Sequence, residues 1–187
     1  MATPDLKSIF CKAEAILKGE EQVHTLYYPN ATKGKWTYGH FVTNSEEAPA
    51  FCAIGALGAA IAILEDPEIV LTEDLLEDLS SSPLVQAASR EFLFDLAVKE
   101  QKKVLKSYGD SVVRASNLIP AKTMEEFLVR YDEMKDDGVM DHLPLSDIVI
   151  DYNDSIAMTG RSVVNAFNRA CVKLSENSEF LETGSCS

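Results

Sequence analysis

Basic residues are scarce in this chain. Seventeen lysines and arginines stand against thirty aspartates and glutamates, for a formal net charge of −13. Binding to nucleic-acid phosphates needs a basic footprint, so no direct nucleic-acid partner is expected. Long apolar runs are missing as well. The most apolar stretch, Phe51 to Leu64, falls short of the roughly 20 residues that a membrane span needs, and no membrane partner is expected. The chain does not open on a basic segment followed by an apolar one, which argues against a signal peptide. It has no Cys-x-x-Cys pair, no His-Glu-x-x-His pattern and no glycine-rich phosphate loop ending in lysine. These absences leave no metal and no cofactor implied. The four cysteines, Cys11, Cys52, Cys171 and Cys186, are widely spaced, and three lie in apolar helical settings. That pattern reads as reduced intracellular thiols, not a disulfide framework, and predicts a bacterial or host cytoplasm.

The chain does have an apolar share of 46% over 187 residues, ordinary for one globular domain. Phe51 to Leu64 is its centre. Ile54, Leu57, Ile61 and Leu64 recur at a three-then-four spacing, which places them on one helical face. Cys52, Gly55, Ala59 and Ala62 form a second face of small side chains. Each internal glycine costs about 1 kcal/mol relative to alanine, so Gly55 and Gly58 are expected where a side chain would clash. Pro49 suits the first turn and Glu46 and Glu47 its positive end. The fold class is mainly α: a compact helical domain around this buried helix, with a small β-hairpin near residues 25–43.

Around it, Thr3-Pro4-Asp5 opens a first helix that Gly19 closes. Val23 to Thr43 holds Tyr27, Tyr28, Trp36, Tyr38 and Phe41 between turn signals and reads as a hairpin or an ordered aromatic loop. Thr72 caps a short acidic helix through Leu79. A helix from Pro83 to about Ser107 is the longest, broken by Gly109-Asp110, with a further short helix from Ser111 to Leu118. Thr123 to Glu126 is a capping box opening a helix that buries Phe127, Leu128, Tyr131 and Met134. Leu145 to Tyr152 is a short helix or a strand. A final helix runs from about Thr159 to Leu174. The expected organisation is one helical domain over residues 1–175 and a disordered acidic tail over 176–187.

Four sets of residues could carry chemistry or binding. Asp151, Asn153 and Ser155 alternate like calcium-loop ligands, but Ile156 and Ser162 stand where that loop needs glycine and glutamate, which rejects the site. Cys52, at the start of the central helix, could act as a thiol nucleophile with its pKa lowered by the helix dipole. His142 would then be its base and Asn153 or Asp154 the orienting group, the order of papain-like hydrolases. The plainer reading of Cys52 is a small buried core residue. Trp36, Tyr38 and His40 alternate and would share one face of a strand. With Asp154 they are the candidate ligand-binding residues; alternatively that face covers the small-residue side of the central helix. Asn153-Asp154 reads first as a capping pair, or as a fastener onto the free N–H groups of the central helix.

Trp36, the block Phe51-Cys52-Ala53-Ile54-Gly55-Ala56-Leu57, and Tyr152-Asn153-Asp154 with Thr159 and Val163-Val164 together resemble an uncharacterised family, a domain of unknown function. That family occurs in actinobacteria and tailed phages. Its members carry a tryptophan, a Cys-Ala-Ile/Leu-Gly-Ala block and a Trp-Asn-Asp turn before a final amphipathic helix. Here Tyr152 replaces the usual tryptophan, and residues 66–141 form a longer insertion. The resemblance implies that the cysteine block packs with the Asn-Asp turn in a phage or bacterial protein, and implies no reaction. The expected function is that of a non-enzymatic acidic accessory protein that binds a protein, a basic one among the options, or a small ligand. One version is an inhibitor of a host nucleic-acid-binding or defence protein. The alternative is a cysteine-dependent hydrolase or transferase using Cys52, His142 and Asn153.

Overall fold

A computed structural model describes residues 3–27, 32–37, 40–44, 48–116, 121–136, 144–157 and 159–183, with side chains apart from those of 43–44, 109–116, 134–136, 155 and 177–183. The chain is mainly α. The helices are α1 (Leu6–Lys18), α2 (Ala53–Glu65), α3 (Glu73–Ser80), α4 (Pro83–Phe94), α5 (Val98–Ser116), α6 (Met124–Asp136), α7 (Leu145–Asp151) and α8 (Gly160–Thr183). A π-helical turn, Tyr152–Ile156, continues α7. The strands are short: β1 (Gln22–Thr25), β2 (Thr32–Lys33), β3 (Lys35–Trp36), β4 (Val42–Asn44), β5 (Pro49–Phe51) and β6 (Val70–Leu71).

Helix α2 is the axis of the core. Every residue from Ala53 to Ile63 is buried, and α1, α3, α4 and α7 pack around it. Burial on all sides explains why small residues alternate with large ones: each small residue admits a neighbour. The clearest case is Gly55, where an added Cβ would fall on the carbonyl oxygen of Phe41. At Gly58 the nearest atom is the movable Leu76 Cδ2 at 3.2 Å, a far milder restriction. A second layer is aromatic. Phe167 of α8 packs on Phe10 of α1 at 5.8 Å and on Phe92 of α4 at 5.0 Å, and Phe92 meets Tyr152 edge-on at 5.6 Å.

The aromatic segment divides between two three-stranded sheets. In one, β1 lies between antiparallel β2 and parallel β6; in the other, β5 lies between parallel β3 and antiparallel β4. Pro49 therefore sits in β5 and not in the first turn of α2, because pairing with β3 and β4 holds the chain extended up to Phe51. Glu46 and Glu47 lie outside the described residues.

Several expected boundaries move. Asp5, not Thr3, caps α1: its carboxylate accepts the Ser8 N–H at 2.9 Å. Gly19 ends that helix in the left-handed region, with φ 71°. The long helix expected from Pro83 to Ser107 breaks after Phe94. There Arg169 of α8 donates to the Asp95 carbonyl at 2.7 Å and Lys173 holds its carboxylate at 3.0 Å, pinning a corner that local propensity does not reveal. The predicted stop at Gly109-Asp110 is absent, and α5 runs to Ser116. One glycine costs a helix only about 1 kcal/mol, so it does not end a helix by itself, and Val104 anchors the preceding turns in the core. Thr123 caps α6 as expected, at 3.1 Å from the Glu126 N–H. The side chain of Met134 lies outside the described residues. The final helix passes the expected end at Leu174 and continues to Thr183.

The expectation of reduced thiols is corrected at one pair. Cys11 of α1 and Cys171 of α8 form a disulfide, with Cα atoms 5.5 Å apart. They are 160 residues apart in sequence, so their spacing carried no sign of the pairing. Packing of α1 along α8 brings them together. Cys186 lies outside the described residues.

Candidate functional site

The N-terminal end of α2 gathers most of the residues singled out from the sequence. Cys52 is the N-cap: its backbone is extended, with φ −73° and ψ 176°, and its sulfur accepts the Gly55 N–H at 3.2 Å. The position that serine or aspartate usually fills here belongs to a thiol. Burial pushes the Cys52 thiol pKa up to about 12, and the Asp154 and Glu73 carboxylates add to that against the opposing pull of the Gly55 and Ile54 N–H groups. A cysteine prepared for nucleophilic attack needs the opposite environment.

Asn153 is the fastener. Its Oδ1 accepts the Trp36 indole N–H at 2.9 Å and the Ala53 backbone N–H at 3.0 Å. Its Nδ2 donates to the Thr37 carbonyl at 3.2 Å and to Asp154 Oδ1 at 2.8 Å. One buried amide thus ties the first turn of α2 to β3 and to the π-helical turn. Its hydrogen-bonding capacity is committed to structure, which leaves no free amide to orient a catalytic base. Trp36 is committed in the same way: its indole nitrogen is taken by Asn153, and an added Cβ at Gly160 would stand 2.8 Å from its ring. The small start of α8 is therefore what receives the tryptophan.

Beside this node lies a cavity of about 120 Å³, lined by His40, Phe41, Cys52, Glu73, Ile150 and Asp154. His40 and Asp154 are its exposed members. The His40 carbonyl also accepts the Cys52 backbone N–H at 3.2 Å. Glu73 spreads its carboxylate over the N–H groups of Phe41 at 3.1 Å and Val42 at 3.0 Å, which anchors that loop over the thiol.

Of the candidate catalytic set, Cys52 and Asn153 are thus neighbours, and His142 lies outside the described residues. Of the candidate ligand-binding set, His40 and Asp154 share the cavity with Cys52, Trp36 stands behind it on Asn153, and Tyr38 lies outside the described residues. His24 is elsewhere, on β1 opposite Val70 and 4.0 Å from the Glu68 carboxylate. Phe41, the last of the aromatic segment, also lines the cavity, and sequence reasoning missed Glu73 and Ile150. Glu73 carried the ordinary signal of an acid in a first helical turn, and only the tertiary approach of β4 to α3 gives it a second role.

Among the described residues, no group of three His, Cys, Asp or Glu side chains is placed to hold a metal ion, and no helix is long and apolar enough to cross a membrane. Comparison of the chain with protein-family models, curated proteins and solved structures finds no match.

Proposed function

We propose that this chain is a non-enzymatic, acidic accessory protein of a phage or a bacterium, and that it acts by binding a partner or ligand that presents a cationic group. The supporting observation is the lining of the cavity at the start of α2: two carboxylates, an imidazole and apolar side chains around a thiol that keeps its proton. The end of a helix carries about half a unit of positive charge. The carboxylates of Asp154, which is exposed, and of Glu73, which already accepts the Phe41 and Val42 N–H groups, border the cavity against it, so an ammonium or guanidinium is favoured there over a phosphate. A cavity of about 120 Å³ is well below the roughly 300–1,000 Å³ of pockets that enclose drug-sized ligands, which favours a head group over a whole nucleotide. The group is a small amine, or one lysine or arginine side chain of a basic protein. Blocking a basic host nucleic-acid-binding or defence protein is one form of this function, and the resemblance to an actinobacterial and tailed-phage family supplies the setting. A cytoplasmic location carries a demand of its own: Cys11 and Cys171 would be kept reduced there, which thiol counting after alkylation in cell extract would reveal.

The test is a thermal-shift titration with n-butylammonium chloride against sodium butyrate at matched ionic strength. Stabilisation by the amine alone, lost in Asp154→Asn, is the expected result. No shift with either salt rejects the cationic ligand.

The second reading is a cysteine-dependent hydrolase or transferase. One observation favours it: His40 and Asp154 share the cavity with Cys52. The burial of the sulfur, its capping bond to Gly55 and its raised pKa weigh against it.

A further inference from the structure

We infer that the groove between α4, α6 and α8, on the side of Phe94 and Val129, is a docking site for an amphipathic helix whose apolar stripe is flanked by lysine or arginine. This rests on the reading of the chain as a binder of basic partners and adds to the cavity a second surface that one would meet. Large apolar side chains are exposed there: Phe94 is 40% and Val129 49% accessible. They border a hollow of about 260 Å³ that Arg90, Glu91, Glu125, Leu128 and Lys173 complete. A shallow hollow continues along the exposed face of α6, where Val129 lies among Glu125, Glu126, Arg130 and Glu133.

The charges around these hollows are unevenly matched. Arg90 is paired with Asp132 at 2.8 Å. Lys173 is paired with Asp95 at 3.0 Å and with Glu91 at 3.4 Å, and its ammonium lies 4.3 Å from the centre of the Phe94 ring. The carboxylates of Glu125 and Glu133 make no ion pair or side-chain hydrogen bond among the described residues. Residues four apart line up on a helix, so Glu125, Val129 and Glu133 form one exposed acid–apolar–acid ridge on α6. A helix laid along that ridge would seat an aliphatic side chain between Phe94 and Val129, and basic residues one turn to either side would meet the two glutamates. An acidic or wholly apolar helix would leave those glutamates repelled or unmatched, so charge complementarity selects the basic one.

The probe is a fluorescein-labelled synthetic helix of about five turns, with leucines along one face and lysines flanking them. It is compared by anisotropy with a scrambled peptide of the same composition. The wild type is expected to bind the amphipathic peptide at least about tenfold more tightly than the scrambled one. Val129→Lys and Glu125→Lys, both at exposed positions, are each expected to weaken binding by about tenfold or more, within the usual range for a central interface residue. Glu77→Lys, at an exposed position on α3 outside both the cavity and the groove, is expected to leave it unchanged. Equal binding of the scrambled peptide, no effect of Val129→Lys, or no binding at all overturns the groove. An equal loss through Glu77→Lys, which would mean attraction to net charge alone, also overturns it; failure of the butylammonium titration sinks the cationic-ligand reading separately. Self-association that Val129→Lys abolishes would assign the groove to a second copy of the chain and likewise overturn the proposal.

Discussion

Replacing Asn153 with alanine removes one side chain and four hydrogen bonds. The Ala53 N–H is buried at the first turn of α2 and loses its acceptor; leaving such a donor unmatched costs about 1–3 kcal/mol. The Trp36 N–H and the Thr37 carbonyl, both half-buried, each lose a partner at about 1 kcal/mol apiece. The bond to exposed Asp154 adds little. The expected destabilisation is therefore about 3–5 kcal/mol, a large share of the roughly 5–15 kcal/mol that holds a domain folded. Urea unfolding followed by far-UV circular dichroism measures it. Trp36 is the chain's single tryptophan, so its fluorescence reports the node directly, and its native emission should shift to the red. Asn153→Asp sharpens the test. The carboxylate can still accept from Trp36 and Ala53, but it cannot donate to Thr37, and it faces Asp154. Burial and that neighbour raise its folded pKa, so the variant is relatively most stable at low pH and loses stability as pH rises through that value. A loss below about 1 kcal/mol in Asn153→Ala, with unchanged tryptophan emission, refutes the fastener.

Three further outcomes follow from other parts of the fold. The Cys11–Cys171 bond closes a loop spanning 160 residues, for which chain entropy gives about 5 kcal/mol; Cys11→Ser should lower stability by up to that amount in denaturant titration, and an unchanged midpoint denies the bond. Gly55→Ala should cost more than about 3 kcal/mol, because its Cβ meets a backbone carbonyl that cannot step aside; Gly58→Ala should be near neutral, since its neighbour is a side-chain end and alanine gains about 1 kcal/mol of helix propensity. Equal effects at the two sites contradict the packing. Hydrogen bonds from Ser8 hold the Asp5 carboxyl below its ordinary pKa, so its capping contribution is fully present above the unfolded value and lost as pH falls through the folded one. Asp5→Ala should then destabilise α1 by about 1 kcal/mol at neutral pH, with the difference from wild type vanishing in acid.

The parts of this fold legible in the sequence were those with a local cause. The run from Ala53 to Leu64 announced a buried helix because nothing in it can face water, and Thr72, Gly19 and Thr123 marked helix ends by their own chemistry. Even the reach of Asn153 toward the N–H groups of α2 was readable, since an amide at an element boundary looks for backbone partners. The parts hidden in the sequence had distant causes. The corner at Asp95 is set by Arg169 and Lys173, more than seventy residues away. The strand at Pro49 exists because β3 and β4 pair with it. The disulfide depends on the first and last helices lying together. At the candidate site, Cys52 and Asp154 could be named but Glu73 could not, because a first-turn acid looks the same whether or not a loop comes to rest on it.

The account turns on the state of the Cys52 sulfur. Native protein, with its disulfide intact, should be incubated with iodoacetamide across neutral to mildly alkaline pH and mapped by peptide mass. Cys52 is expected to stay unmodified in the folded protein and to be alkylated only once urea unfolds it. Rapid modification of Cys52 in the folded state, at a rate that levels off near neutral pH, would mean an exposed thiolate and would contradict it.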